Sequence, residues 1–509
     1  MARACIRDDV TRLDRYDSVV SPSEAHEQAI IMALYTTWLI LAGFLVERPP
    51  ANTALTQELT AAIEATFAHK DLQGLTVGLA VGCADGRSPV VGHNPNKPMN
   101  PASGTKLLTS AAALAAFEPT HRFKTAFFGD AGPEGVVAGD LVIQPAGDPS
   151  VQRKAISELA KAIAKAGVRR VVGDVVVDVS DFGPEDLPPA YGQKNTDAAY
   201  RPAVPAFGIE DGVLRVTVTP SKVVGEATTI SVSPSSRTTI VENASVTVDG
   251  KGIRELDVGT AAGPRGATRV IISGKLGQKA PRQAVWRRMT DPAAFAVEAL
   301  EAALKKAGVK VEGNVRLTKE PLKARGPELG AITGATLAEL IAEINIHSNN
   351  YWAEALFRIL GIENDSGRRT WSGAAAFVTE SLTTRYGLKP YDFLIVNGSG
   401  LYDATRIAPA AMVELLKHFA GDSGKASALR ASLAKAGASG TLRRRLKELK
   451  GRLVGKTGTL DNAVSLSGFL KRNEGCELAF ASIVEGDIGD KAGRVRAAID
   501  AWIKRLAAL

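Results

Sequence analysis

The chain has 509 residues, more than one domain usually holds, and its 45% hydrophobic and 23% charged content is that of folded proteins. This composition favours a folded chain over a mainly disordered one. The net charge of +8 indicates an anionic partner, either a nucleic acid or an acidic polymer such as a cell wall. No zinc-finger spacing or aromatic-rich basic stretch supports nucleic acid. The three cysteines and six histidines show no metal-binding spacing, so neither a metal nor another cofactor is predicted.

The first predicted element is an uncharged apolar run over residues 29–46. Its length fits an export signal or an N-terminal membrane anchor, and the alternative is a buried helix. Export is favoured because Glu47-Arg48-Pro49-Pro50 then breaks the pattern as a linker would. We therefore expect a leader over residues 1–51 on a periplasmic or otherwise extracytoplasmic protein, with an inner-membrane anchor left open. Cys83 and Cys476 would then meet an oxidising compartment, and the sequence leaves open whether they pair.

Both ends of the chain predict helices packed on strands. A helical pattern over residues 53–68 is followed by a strand over 75–82 and a short return strand. Near the C-terminus, strands over 464–470 and 477–484 precede an amphipathic helix over about residues 495–506. This arrangement predicts one sheet-and-helix domain assembled from both ends of the chain.

The middle of the chain has a different pattern. Residues 211–275 are almost all strand-like, rich in β-branched residues and bounded by Gly, Pro or Ser. Helical patterns return near residue 291 and continue to about residue 420. We interpret the middle as an inserted, mostly β module with its own small core.

Three short motifs carry candidate chemistry, and the first is Ser103-Gly104-Thr105-Lys106 at a predicted helix start. One helical turn brings positions i and i+3 to the same face, so the Lys106 amine can lie beside the Ser103 hydroxyl. A serine needs an adjacent base to become a nucleophile, and a lysine can serve if its surroundings lower its pKa. The alternative is a helix on the protein surface, capped by Asn100 or Ser103.

The second motif, Ser348-Asn349-Asn350, ends another helical pattern. Its hydroxyl can pass a proton on, and an amide can hydrogen-bond a substrate carbonyl or hold the lysine. For the tripeptide by itself, a polar junction between two helices is the better interpretation.

The third motif is Lys456-Thr457-Gly458-Thr459, next to a predicted strand. Gly458 would allow a ligand close to the backbone, while Lys456 and the threonine hydroxyls would bind a carboxylate. A phosphate-binding P-loop is excluded, because the required glycine is out of register and the segment is not strand–loop–helix.

Together, and in this chain order, the three motifs form the signature of penicillin-recognising serine enzymes. The chain resembles the D-alanyl-D-alanine carboxypeptidase/endopeptidases among the low-molecular-mass class C penicillin-binding proteins, the type with two inserted domains. The 242 residues from Lys106 to Ser348 suit that type, because class A β-lactamases have a short interval there. Further stretches that resemble this family are Gly147-Asp148-Pro149, Asn397-Gly398-Ser399-Gly400-Leu401 and Ser439-Gly440-Thr441-Leu442.

The resemblance implies a role for each motif residue. Ser103 would attack the carbonyl of the penultimate D-Ala and form an acyl-enzyme, after neutral Lys106 has taken its proton. Ser348 would pass a proton to the leaving amine, and Asn350 would orient Lys106 and the substrate amide. Water would then hydrolyse the acyl-enzyme, whereas β-lactams would acylate the same serine and leave slowly.

The resemblance also implies how the substrate is held. Lys456, with Thr457 and Thr459, would bind the terminal carboxylate beside Gly458. The backbone N–H groups of Ser103 and Thr459 would form the oxyanion hole. An acid of the inserted region would meet the amine of the stem peptide, and Asp197 is the candidate for it.

The expected fold is a multidomain α+β protein with a β-lactamase/DD-peptidase-like domain, an antiparallel sheet with helices. Its function would be hydrolysis of peptidoglycan stem peptides, with β-lactams as covalent inhibitors and with no nucleic-acid partner. The alternatives are a β-lactamase or esterase of the same superfamily, or a non-catalytic wall-binding scaffold. The predicted division is a leader over 1–51, a penicillin-binding domain over 52–125 and 288–509, an inserted domain over 126–205 and 268–287, and a nested β-rich domain over 206–267.

Overall fold

The structure, a computed structural model, describes residues 53–323, 325–361 and 369–509. The predicted leader and its apolar run over 29–46 lie outside the described residues. Within the described ranges, no helix is long and apolar enough to cross a membrane.

The helices of the described residues are numbered in chain order. They are α1 (Thr53–Phe67), α2 (Thr105–Ala116), α3 (Arg153–Lys165), α4 (Pro292–Lys306), α5 (Leu337–His347), α6 (Asn350–Leu360), α7 (Trp371–Glu380), α8 (Pro409–Lys417), α9 (Gly424–Ala431) and α10 (Ala492–Ala508).

The strands of the described residues are numbered in the same way. They are β1 (Thr76–Cys83), β2 (Val91–His93), β3 (Arg122–Phe128), β4 (Val136–Val137), β5 (Leu141–Gln144), β6 (Arg170–Val171), β7 (Val175–Asp178), β8 (Val213–Thr219), β9 (Thr229–Ser233), β10 (Thr239–Asn243), β11 (Val246–Val248), β12 (Arg254–Ala262), β13 (Thr268–Gly277), β14 (Gln283–Arg288), β15 (Lys310–Val311), β16 (Val315–Thr318), β17 (Glu328–Thr336), β18 (Phe393–Leu394), β19 (Arg406–Ile407), β20 (Ala434–Lys435), β21 (Leu453–Thr459), β22 (Ala463–Leu470) and β23 (Leu478–Glu485).

An antiparallel six-stranded sheet, in the order β2-β1-β23-β22-β21-β20, joins the two ends of the chain. Alternate residues of β1 serve two apolar layers: Leu79 packs with α1 and α10, whereas Ala80 packs with α2, α5 and α6. Because helices cover both faces, β22 and β23 are buried along nearly their whole length. The prediction of one sheet-and-helix domain built from both chain ends is confirmed.

A disulfide fixes the pairing of β1 with β23. Cys83 ends β1, Cys476 lies just before β23, and their Cα atoms are 5.7 Å apart. The two cysteines are 393 residues apart in sequence. The bridge therefore links strands that are neighbours in the sheet but lie at opposite ends of the chain.

The inserted region contains a mixed sheet of order β16-β7-β5-β3-β17 and a smaller sheet of order β15-β6-β4. The β-rich stretch predicted at 206–267 forms β8 to β12. In two further sheets, β10, β11 and β12 pair with β13, and β8 pairs with both β9 and β14. Helices α3 and α4 bury Leu159 and Leu300 in one apolar cluster that also includes Leu214 of β8 and Val270 of β13. The insert therefore has a core separate from the clusters that cover the six-stranded sheet.

Two strands that follow residue 288 pair with strands of the inserted region. β16 pairs with β7, and β17 pairs with β3, so both belong to the sheet that also contains β5. At α5 the chain returns to the apolar layer that contains Ala80, where Leu337 and Leu340 pack with α2 and α6. An amphipathic helix such as α4 reveals a buried face in its sequence but not which sheet that face will cover.

Candidate active site

Ser103 lies in a short 3₁₀ turn, Ala102–Gly104, directly before α2. The side chain of Asn100 holds this turn, because its Oδ1 accepts a hydrogen bond of 2.8 Å from the Ala102 N–H. The turn is also fastened to the six-stranded sheet, where Ser465 Oγ donates to the Pro101 carbonyl at 2.6 Å. Neither Asn100 nor Ser103 caps α2, whose N-cap is Gly104 without a side-chain hydrogen bond. Asn100 instead holds the preceding turn, and the Ser103 hydroxyl is left for other contacts.

Lys106 is fully buried at the centre of the site. Its Nζ donates to Ser103 Oγ at 3.1 Å, to Asn350 Oδ1 at 2.7 Å and to the Ser399 carbonyl at 2.8 Å. Burial lowers the pKa of Lys106 to about 7, although the charge of Glu354 acts in the opposite direction. A large fraction of this amine is therefore neutral near pH 7 and can accept the proton of Ser103.

Ser348 occupies the junction between α5 and α6. Its backbone is left-handed, with φ 59° and ψ 38°, and this reversal turns the chain from one helix into the next. Lys456 Nζ donates to Ser348 Oγ at 2.9 Å. Asn350, which begins α6, donates through Nδ2 to the Tyr200 carbonyl at 2.7 Å while its Oδ1 receives Lys106. The second motif thus contacts both lysines.

The third motif lies on β21, beside the turn that carries Ser103. Burial first, and the charge of Lys106 second, hold the pKa of the buried Lys456 well below its usual value. Thr457 Oγ1 donates to Thr441 Oγ1 at 2.8 Å, and Thr459 Oγ1 to the Gly458 carbonyl at 2.8 Å.

Gly458 faces the Ser103 turn at very short range. A Cβ at this position would lie 2.4 Å from the Pro101 carbonyl oxygen and 2.3 Å from Ser465 Oγ. The absence of a side chain therefore lets strand and turn approach closely.

A cleft of about 630 Å³ opens over the site. Of the predicted site residues, Ser103, Ser348, Asn350 and Thr459 line it, while Lys106 and Lys456 are buried and reach Ser103 and Ser348 by hydrogen bonds. The remaining lining residues are Gln193, Lys194, Tyr200, Leu401, Tyr402, Asp403, Leu460, Asp461, Asn462, Gly489 and Ala492.

The structure does not bring Asp197 to the lining of this cleft. Its Oδ2 lies 3.3 Å from Arg287 Nε and accepts a hydrogen bond of 2.7 Å from the Thr260 N–H. The carboxylate therefore fastens its segment to β12 and β14 within the insert. Asp197 is a candidate because of its position in the inserted region, and such a position does not specify which way a side chain points.

Several contacts at the site involve residues to which the sequence analysis gave no role. Glu354 is fully buried, and its two carboxylate oxygens accept from the N–H groups of Gly398 and Ser399 at 2.9 Å each. Its signal in the sequence is an acid on the buried face of an amphipathic helix, one turn after Asn350. Ser399 and Thr441 lie in stretches that carried the family resemblance, but nothing in those stretches indicated their contacts.

The arrangement provides the parts of covalent acyl transfer. It contains a hydroxyl beside an amine of lowered pKa, a second hydroxyl beside a second buried lysine, and a strand edge next to the nucleophile turn. Among the described residues, no group of three His, Cys, Asp or Glu side chains could hold a metal ion.

Comparison with known proteins points to the same chemistry. The model of the D-Ala-D-Ala carboxypeptidase 3 (S13) family matches residues 59–506. A D-alanyl-D-alanine carboxypeptidase from Actinomadura sp. is 30% identical over 486 residues, which are 91% of this chain and 88% of the relative. D-alanyl-D-alanine carboxypeptidase DacB from Haemophilus influenzae is 23% identical over 83% of this chain and 89% of its own length. The crystal structure of penicillin binding protein 4 from Haemophilus influenzae shares the fold, with a TM-score of 0.75 at 22% identity over 87% of this chain and 98% of that one.

Proposed function

Because this chain belongs to the D-Ala-D-Ala carboxypeptidase 3 (S13) family, it is a serine-type D-Ala-D-Ala carboxypeptidase, and we propose Ser103 as its nucleophile. The observation that carries the assignment is the 3.1 Å hydrogen bond between Ser103 Oγ and the buried amine of Lys106. Proximity supplies the geometry for proton transfer, and the lowered pKa supplies a neutral amine to receive the proton.

In the proposed acylation step, Lys106 removes the proton of Ser103 as its oxygen attacks the carbonyl of the penultimate D-Ala. The backbone N–H groups of Ser103 and Thr459 stabilise the oxyanion that forms. Collapse of the tetrahedral intermediate breaks the peptide bond, and the departing D-Ala amine takes a proton through Ser348. Support for the last role comes from the position of Ser348 Oγ, which lines the cleft and accepts from Lys456.

Substrate binding is assigned to β21. Lys456, with Thr457 and Thr459, holds the terminal carboxylate of the stem peptide, and Gly458 lets the bound peptide lie close to the strand. Asn350 orients Lys106 and receives the substrate amide. The position of Lys456 supports its role, because its Nζ donates at 2.9 Å to Ser348 Oγ, which lines the cleft, and a bound carboxylate would favour the charged amine.

In the second half of the reaction, water hydrolyses the ester between Ser103 and the shortened stem peptide. A β-lactam would acylate the same oxygen, but its amine stays tethered to the acyl group after ring opening. Such an adduct would hydrolyse slowly, so β-lactams would act as covalent inhibitors.

The site of action is inferred to be extracytoplasmic, because the substrates of this family are cell-wall peptides. The disulfide between Cys83 and Cys476 supports this location, since such bonds persist in oxidising compartments. Export through the apolar run over 29–46, and any anchoring by it, remain predictions about residues outside the described ranges.

The experiment that tests the proposal compares the wild type with Ser103→Ala on two substrates: a soluble pentapeptide ending in D-Ala-D-Ala, and cross-linked muropeptides. We expect the wild type to release D-Ala from the pentapeptide, and Ser103→Ala to release none above background. Cleavage of the muropeptides by the wild type would add endopeptidase activity. Equal D-Ala release by both proteins would reject Ser103 as the nucleophile.

A further inference from the structure

A segment of the insert, residues 189–201, reaches the catalytic residues. Tyr191 of this segment is fully buried and packs with Leu401 and Tyr402. Its hydroxyl lies 3.0 Å from Ser399 Oγ and donates to Glu354 Oε1 at 3.3 Å. Arg201 holds the segment in shape, because its Nε donates to the Tyr191 carbonyl at 2.6 Å.

Glu354 connects this segment to the catalytic lysine. It lies one helical turn after Asn350, so both side chains project from the same face of α6. Its carboxylate fixes the loop 397–401 through the N–H groups of Gly398 and Ser399, and the carbonyl of Ser399 accepts from Lys106 at 2.8 Å. Movement of the carboxylate would therefore move one of the three hydrogen-bond acceptors of Lys106.

The insert reaches Lys106 by a second route. The carbonyl of Tyr200, in the same segment, accepts from Asn350 Nδ2, and Asn350 Oδ1 accepts from Lys106. The insert therefore contacts the groups that hold two of the three hydrogen-bond acceptors of Lys106, namely Asn350 Oδ1 and the Ser399 carbonyl.

We propose that Glu354 and Tyr191 are positioning residues for Lys106, and that through them the insert sets the place and the basicity of the catalytic lysine. The inference rests on the proposed role of Lys106 as the base. It gives the insert a task in catalysis itself, in addition to any task in shaping access to the cleft.

The charges around Lys106 determine the sign of the expected effect. Burial lowers the pKa of Lys106, and the negative charge of Glu354 raises it. The third ionisable group of the buried site is Lys456, whose pKa is lowered by burial first and by the positive charge of Lys106 second. Tyr191 stays a neutral donor, because burial raises the pKa of its hydroxyl well above the usual value. Removing the charge of Glu354 should therefore make Lys106 a weaker base with a lower pKa.

The test is the pH profile of the second-order rate constant for acylation by a chromogenic cephalosporin. The variants are Glu354→Gln, which keeps the size of the side chain, and Tyr191→Phe, which removes only the hydroxyl. The matched control is Tyr386→Phe, because Tyr386 is also a buried tyrosine whose hydroxyl bonds a backbone carbonyl, that of Ala111 at 2.7 Å, outside this network.

We expect the acid limb of the wild-type profile to have its midpoint near the pKa of Lys106, about 7. Glu354→Gln should move that midpoint down by about half a pH unit or more and reduce the plateau rate. Tyr191→Phe should move it in the same direction and reduce the plateau rate about 5- to 10-fold, the effect of one lost hydrogen bond. Tyr386→Phe should lower the melting temperature without moving the midpoint.

The inference is overturned if the wild type is acylated at Ser103 while the midpoint stays in place in both variants, or moves equally in Tyr386→Phe. If Glu354→Gln does not fold, the profile of Tyr191→Phe decides. Failure of the proposed function would give a different result. The wild type would then form no adduct, or Ser103→Ala would still form one.

Discussion

At the scale of single residues, the site depends on two buried lysines that serve different hydroxyls. Lys106 donates to Ser103, Lys456 donates to Ser348, and burial lowers the pKa of both. The assigned tasks require opposite protonation states, because a base must be neutral and a carboxylate-binding group charged. In the free site, burial first and the charge of Lys106 second lower the pKa of Lys456. A bound substrate carboxylate would raise the pKa of Lys456 again, so that Lys456 is charged when substrate binds while Lys106 serves as the base.

This division predicts unequal effects of replacing each lysine by arginine. Arginine keeps the positive charge but cannot lose a proton in proteins, so Lys106→Arg should reduce acylation about 10²- to 10⁴-fold, the usual contribution of a general base. Lys456→Arg, the matched variant, keeps a cation for the substrate carboxylate and should lose much less. The rate constants for acylation by a β-lactam measure both. Equal losses in two folded variants would contradict the assignment of the base to Lys106.

At the scale of elements, the position of Ser103 depends on contact between the turn 101–104 and strand β21. Gly458 faces Ser465 across the β21–β22 ladder, and Ser465 holds the Pro101 carbonyl. Neither neighbour of Gly458 can yield easily, because one is a backbone oxygen and the other is hydrogen-bonded to it.

Gly458→Ala should therefore separate the strand from the turn and reduce acylation at least about 10-fold, the effect of a small misplacement of reacting groups. The control is Gly424→Ala at the start of α9, where an added Cβ would meet no described atom within 4 Å. Acylation rates and melting temperatures of the two variants give the comparison. Wild-type acylation by Gly458→Ala would show that this contact does not position the nucleophile.

The disulfide is the second element-level feature with a measurable effect. It joins the end of β1 to the segment before β23, and the two cysteines are 393 residues apart in sequence. Cross-links over long loops typically stabilise proteins by about 2–4 kcal/mol, mainly through the unfolded state.

The double variant Cys83→Ser/Cys476→Ser should lower the free energy of unfolding by about 2–4 kcal/mol, measured by urea denaturation. Wild type unfolded in the presence of reductant provides the control, since it should approach the stability of the variant. A variant as stable as the oxidised wild type would contradict a structural role for this bond.

At the scale of the whole molecule, the features that could be predicted from the sequence are those that depend on local patterns and on the order of motifs along the chain. Buried positions of α1 and α10, such as Leu59 and Trp502, repeat with helical spacing, and both cover the sheet as expected. The three motifs were predicted to meet, and the lysines and serines do lie within hydrogen-bond distance of one another in two pairs.

The remaining features depend on contacts between distant residues. β17 pairs with β3. Because of this pairing, we propose that the insert extends to Thr336, the last residue of β17. Tyr191 and Glu354 are 163 residues apart in sequence and meet only in the folded core. Asp197 pairs with Arg287 inside the insert, 90 residues away in sequence, a contact that its position in the inserted region did not indicate.

The most direct test of Ser103 as the nucleophile is covalent labelling with a fluorescent penicillin, followed by mapping of the modified peptide by mass spectrometry. We expect one adduct on the wild type, located at Ser103, and none on a Ser103→Ala variant whose melting temperature shows that it is folded. Labelling of both proteins to the same extent, of neither, or at another residue would contradict Ser103 as the nucleophile.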